Sequence, residues 1–127
     1  DAQAMPQPDD RGVRHDELTG RIEQAEGSFV FLNGWGSRGE GDGEFQSLCG
    51  IAVDGVGNVY VSDVNNHRIQ VFDPQGRFLR KWGRRGWDDG LFDLPYGGLA
   101  IDGDGNVYVA DPADNRIQVF KRVLPSG

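Results

Sequence analysis

Two acid–base pairs recur along the chain, Asp63 with Arg68 and Asp111 with Arg116. Each pair flanks a short connection, where a carboxylate and a guanidinium can form an ion pair or hold the backbone of a loop. Because both pairs return with one period, a structural duty is expected of all four residues. The segment DGDGN at Asp102 to Asn106 has the carboxylate and glycine spacing that opens a calcium loop. The later ligands and the closing Glu are missing, and Asp54-Gly55-Val56-Gly57-Asn58 fills the same slot with one acid fewer, so a hairpin turn is the reading. His15 and His67 are the only histidines and Cys49 the only cysteine, which leaves no zinc spacing and no internal disulfide. Cys49 is expected as a small buried hydrophobe. No Gly-x-Ser-x-Gly elbow, Cys/His pair or phosphate-binding loop occurs. No catalytic residue, metal or cofactor is therefore expected.

The most individual stretch is GRRGWDDG, Gly83 to Gly90. Arg84, Arg85 and Trp87 stand where the earlier copy of this segment has Ser37, Arg38 and Glu40. An unrepeated aromatic beside two arginines on a loop is the kind of group that anchors a protein partner or a further subunit, against incidental loop packing. Asp88, Asp89 and Asp93 neutralise the patch, and the whole chain carries a formal charge of −7. That field opposes phosphate binding, so nucleic acid is not expected as a partner. No apolar run approaches membrane-spanning length. The chain begins with Asp1 rather than Met, which fits a removed leader or excision from a longer chain. An extracellular or cell-surface location is the expectation.

The elements that position these residues are written as a repeat. GNVYVSDVNNHRIQVF (Gly57 to Phe72) returns as GNVYVADPADNRIQVF (Gly105 to Phe120), 48 residues on. FLNGWGSRGEGDGEF (Phe31 to Phe45) returns as FLRKWGRRGWDDGLF (Phe78 to Phe92), 47 residues on, the extra residue entering near Tyr96 and Gly97. A period in this range predicts propeller blades. Each unit divides into four short strands: Gly50 to Asp54, Asn58 to Asp63, Arg68 to Phe72 and Arg77 to Trp82, with Gly, Asn and Pro turns suited to an antiparallel meander. Val59 and Val61 alternate with Tyr60 and Ser62, so both faces of the sheet need cover. The segment GWGSRGEGDGEF reads as an interblade linker.

GIAVDGVGNVYVSDVNNHRIQVFDPQGRFLRKWG resembles the NHL repeat, including the Asn66-His67-Arg68 triplet. In the second copy the triplet is Asp114-Asn115-Arg116, in which only the Arg persists. The resemblance covers roughly Phe29 to Phe120 and implies an all-β fold of NHL-type β-propeller blades, each a four-stranded antiparallel meander. Such propellers commonly close with six blades. Some members of the wider fold are lyases or hydrolases with metal-bound histidines around the channel, a set this chain does not offer.

The expected domain plan is an N-terminal tail over residues 1–28 with a decayed strand at 16–25, a repeat region over 29–122, and a C-terminal tail over 123–127. The repeat region comprises a lone outer strand (29–35), a full blade (50–83) and a three-stranded blade (98–121). Two blades cannot surround an axis, so completion by other chains is expected. Phe29, Phe31 and Trp35 on the lone strand, and Arg116, Ile117, Val119 and Phe120 on the open edge, are the candidate assembly residues. Unpaired edge hydrogen bonds are worth roughly 1 kcal/mol each, whereas an exposed blade face of about 500 Å² apolar area forfeits on the order of 12 kcal/mol, so face burial is the larger drive. The sequence therefore predicts a non-enzymatic interaction protein that joins copies of itself head to tail, as a closed ring or a filament. The rivals are a protein-binding or sensor fragment of a larger NHL-repeat protein, and a propeller lyase.

Overall fold

Asp54, Asp73 and Asp102 each open a turn, and the turns set where the strands stop. In each, one carboxylate oxygen accepts the amides two and four residues on. These are Val56 and Asn58 for Asp54, Gln75 and Arg77 for Asp73, and Asp104 and Asn106 for Asp102, at 2.9–3.0 Å. Gly57, Gly76 and Gly105 close the turns at φ between 84° and 92°, where a side chain would be strained.

The computed structural model describes residues 13–15, 22–93, 98–111 and 115–124. The chain divides into two units, Asp1–Asn33 and Gly34–Gly127. In the first, β1 (Val13–His15) pairs antiparallel with β2 (Ile22–Gln24), Arg14 opposite Glu23. The sequence reading puts residues 13–15 in an irregular tail. They pair instead, since Pro6 and Pro8 lie well upstream of Val13, itself a strand former. Residues 1–12 of that tail, 16–21 of the expected strand, the shift near Tyr96 and Gly97, Asp114, and residues 125–127 lie outside the described residues.

The expected lone strand over 29–35 is not a strand in this chain. It has no ladder partner among the described residues, and an extended segment without one gains no interstrand hydrogen bonds.

In the second unit, β3 (Ser37–Arg38) runs parallel to β4 (Glu44–Phe45) inside the segment read as a linker. The same device recurs as a single parallel bridge between Arg85 and Phe92. Next come β5 (Leu48–Val53), β6 (Val59–Asp63), β7 (Arg68–Phe72) and β8 (Phe78–Trp82), an antiparallel sheet in the order β5-β6-β7-β8. Then β9 (Leu99–Ile101), β10 (Val107–Asp111) and β11 (Arg116–Phe120) form a three-stranded sheet with β10 in the centre. The boundaries fall within two residues of the expected ones, with a bulge in β5 between Leu48 and Ile51. Gly50 allows the two sheets to approach: a Cβ there would lie 3.0 Å from the Gly98 Cα. Cys49 is exposed, not buried, because it points off the bulged end of β5.

Two apolar clusters hold the second unit. One joins the blades: Tyr60, Ile69 and Val71 of the first meet Phe92, Val107 and Val109, with Trp82, Leu99, Ile101 and Phe120 packed around them. The other lies on the opposite face of the first blade and gathers Phe45, Val59, Val61, Phe72 and Phe78. An aromatic trio recurs with the period. Trp35 and Phe45 lie 5.8 and 5.7 Å from Phe72, and Trp82 and Phe92 lie 5.4 and 5.7 Å from Phe120. Phe72→Ala is expected to cost about 3–5 kcal/mol in urea denaturation, as for other buried Phe truncations, and Phe120→Ala less because Phe120 is only half-buried.

Candidate functional site

Asp63 and Arg68 face each other at the ends of β6 and β7, across a 3₁₀ turn at Val64–Asn66. The Arg68 Nε donates to Asp63 Oδ2 at 3.2 Å. The other guanidinium nitrogens leave the pair and donate to the carbonyls of Glu40, Gly41 and Glu44, all at 2.9 Å. Asp63 in turn accepts the Gln46 amide at 2.9 Å and the Asn66 side chain at 2.7 Å. Gln70 completes the grip, accepting the Gly43 amide at 2.9 Å and donating to the Glu44 carbonyl at 2.7 Å. Asp63, Arg68 and Gln70 are all buried. The linker that enters the blade therefore has its backbone groups satisfied by side chains of the blade, where water cannot serve them.

The second blade repeats part of the clamp. Arg116 donates to the carbonyls of Trp87 (3.0 Å) and Asp88 (2.6 Å) and to the Asp89 carboxylate (3.1 Å). Gln118 accepts the Gly90 amide at 2.8 Å and donates to the Leu91 carbonyl at 2.7 Å. Asp111 accepts the Asp93 amide at 3.2 Å, while its second oxygen is buried without a hydrogen-bond partner among the described residues. The position matching Asn66 is Asp114, outside the described residues. His67, at φ 54°, donates from Nδ1 to the Asp93 carbonyl, tying the first blade's turn to the second linker.

The two outer faces of this pair of blades expose apolar residues whose repeat counterparts pack between the blades. Ile69 is fully buried against the second blade, whereas Ile117, its counterpart 48 residues on, is 68% exposed. Val119 and Tyr108, matching the buried Val71 and Tyr60, are likewise exposed. On the other side, Ile51 and Val53 are 66% and 58% exposed, although Leu99 and Ile101 at the same places in the second blade pack into the shared core. Of the other candidate assembly residues, Arg116 and Phe120 point inward to the linker and the aromatic trio. Phe29 and Phe31 are almost fully exposed, and Trp35 lies on Phe72. Phe29 and Phe31 belong to the first unit and Trp35 to the second.

The family model described as NHL repeat matches residues 45–72 and 97–120. The chain carries NHL repeats. It is 52% identical over 44 residues to B-box type zinc finger protein ncl-1 of Caenorhabditis elegans, a stretch covering 35% of this chain and 5% of that protein. It is 39% identical over 61 residues to Protein brain tumor of Drosophila melanogaster (48% of this chain, 6% of that protein). It is 45% identical over 47 residues to E3 ubiquitin-protein ligase TRIM71 of Rattus norvegicus (37% and 6%). The chain thus spans about a twentieth of the length of the curated relatives it matches.

Between the two matched segments, the Arg84, Arg85 and Trp87 patch lies on the second linker, and all three side chains are exposed. Trp87 is 73% exposed while Arg116 pins its carbonyl, so the ring is displayed from an anchored backbone. Arg85 lies 3.8 Å from Asp93. In the DGDGN turn, Asp102 is occupied in holding amides, the Asn106 side chain and the Tyr108 hydroxyl. Among the described residues no group of three or more His, Cys, Asp or Glu is placed to hold a metal ion, and no helix is long and apolar enough to cross a membrane.

The sequence reading missed Gln70 and Gln118, although a polar residue returning in the middle of RIQVF was the available signal. It also missed Ile51 and Val53, whose exposure depends on which side of the sheet is left uncovered.

Arg68→Ala is expected to cost about 3–5 kcal/mol, since Asp63 and three linker carbonyls lose their buried partner. Arg116→Ala, at a more exposed clamp, is expected to cost about 1–2 kcal/mol. Urea midpoints followed by tryptophan fluorescence separate the two. The carboxyls of Asp73 and Asp102 are held below their ordinary range, first by the amides of Arg77 and Asn106. Their stabilisation is present above the unfolded value and lost as pH falls through the folded ones. The urea midpoint should thus fall below about pH 4, and fall less in Asp102→Asn.

Proposed function

We propose that this chain is a non-enzymatic protein-binding module whose outer blade faces take further NHL blades, supplied by copies of itself. The observation that carries this reading is the match between the two open faces and the interface already formed between the blades. Ile51 and Val53 stand ready for the groups that Leu99 and Ile101 meet, and Tyr108, Ile117 and Val119 repeat the residues that meet them. A contact between such faces joins unlike surfaces, so it propagates head to tail and closes as a ring when the rotation per chain divides a full turn; otherwise it grows as a filament. The exposed Phe29 and Phe31 suit addition of an outer strand beside β11, which among the described residues has a neighbour on one side only. A binding role rather than catalysis is supported by the buried polar groups, Asp63, Arg68 and Gln70, being engaged in holding the linker. Trp87, displayed with Arg84 and Arg85, suits contact with another protein.

A second reading is favoured by the relatives, each far longer than the stretch matched. In it the open faces meet other blades of the same polypeptide, and the two blades form part of a protein-binding propeller.

Size-exclusion chromatography with light scattering on the 127-residue chain distinguishes these. Self-association predicts a multiple of 14.0 kDa that dissociates in Ile117→Asp without loss of β-sheet circular dichroism. A folded, monodisperse 14.0 kDa species overturns self-association and leaves the second reading.

A further inference from the structure

A cavity of about 390 Å³ opens between the two blades of the second unit, within the range of small-ligand sites. Its apolar wall is aromatic: Trp82 stands 6.4 Å from Tyr60 and 5.4 Å from Phe120, ring centre to ring centre. Its remaining lining includes three cations, Arg80, Lys121 and Arg122. Arg80 and Arg122 both act on the Tyr60 phenol, opposing the rise that burial and Asp54 impose on it. The Trp82 indole N–H is buried and has no hydrogen-bond partner among the described residues. Buried donors are nearly always satisfied, so an orphan on a cavity wall marks where an acceptor would sit.

These cations are not scaffold. Lys121 and Arg122 occupy the places held by Asp73 and Pro74 in the first blade, and Arg80 the place held by Asn33 in the preceding segment. The clamp residues, in contrast, recur. Three cations therefore gather where the repeat does not require them, in a chain whose formal charge is −7. The nearby acids are Asp54, engaged by the Tyr60 hydroxyl at 3.3 Å, Asp102, whose carboxylate is occupied by the amides on either side of the lining Gly105, and Asp104, next to Gly105.

We infer that this cavity binds an acidic peptide segment of a partner protein. An apolar side chain lies against Tyr60, Trp82 and Phe120, carboxylates pair with Arg80, Lys121 and Arg122, and a peptide carbonyl accepts the Trp82 N–H. A peptide fits better than a nucleic acid because it needs only a local cluster of cations, whereas a phosphate chain must also run along an acidic surface. The cavity lies within one chain, so it exists whether or not the outer faces associate.

The test is calorimetric titration with an unlabelled decapeptide of alternating Glu and Gly around one central Phe, against the same peptide with Gln for Glu. The expected result is binding of the Glu peptide at least about tenfold tighter than the Gln peptide, weakening with salt. Arg80→Gln/Arg122→Gln should lose about tenfold, as should the single Arg80→Gln in part, and Trp82→Phe several-fold, with circular dichroism unchanged. Equal binding of the two peptides, no binding of either, or an undiminished affinity in the double variant overturns the inference. So does tighter binding of an oligouridylate that the same variants abolish, which would assign the cavity to nucleic acid.

Discussion

Every part of the second unit answers to the need to cover both faces of a short twisted sheet. In β6 and β7 all five residues are buried, on both sides of the strand, because the first blade has the second blade on one face and the linker aromatics on the other. In β11, with the same RIQVF sequence as β7, burial alternates, since only one face is covered. Identical residues thus have different environments for a topological reason alone. The free energy at stake scales with the apolar area left in water, at about 25 cal/mol per Å², and exceeds what a few edge hydrogen bonds contribute.

Burial of faces is non-directional and would let blades slide over one another. The polar clamp supplies the register. Arg68 and Gln70 grip carbonyls and an amide that lie at fixed positions along the linker, so the entering chain can sit at one depth only. A buried ion pair such as Asp63–Arg68 contributes little net stability compared with apolar packing, but a misplaced linker would strand it without partners, which makes wrong registers costly. The aromatic trios perform the apolar counterpart, each seating the tryptophan of one segment on the phenylalanine of the next blade.

Much of this was legible in the sequence because repetition makes scaffold visible. The period, the strands near 50–82 and 98–120, the Asp turns and the pairing of Asp63 with Arg68 all follow from residues that return together. GWGSRGEGDGEF reads as an interblade linker from its acidic, glycine-rich composition; its two-residue parallel pairing arises from the clamp, which is tertiary. The strand at Val13–His15 escaped because three residues carry no periodicity. Cys49 was expected inside on residue type, and the bulge in β5 turned it out. The segment at Phe29 to Trp35 has strand-forming residues but no ladder partner among the described residues, and a strand is a property of a pair.

The same logic separates what builds the fold from what the fold is for. A residue that returns with the period is needed by every blade, and its role is exhausted by packing or clamping. A residue that breaks the period is tolerated by the scaffold without being required by it. Trp87 replaces Glu40 on a linker whose carbonyl at this position is still held by the blade's arginine, so the backbone is kept while the side chain is free to differ. Lys121 and Arg122 replace an Asp-Pro turn start, so the chain leaves β11 without the tight reversal that follows β7, and two cations remain beside the interblade cavity. Repeat proteins can vary such positions blade by blade at little cost in stability, because the clamp and the aromatic trio carry the structure. Chemistry particular to this chain is therefore concentrated where its two copies disagree, on the second linker and at the exit of the second blade.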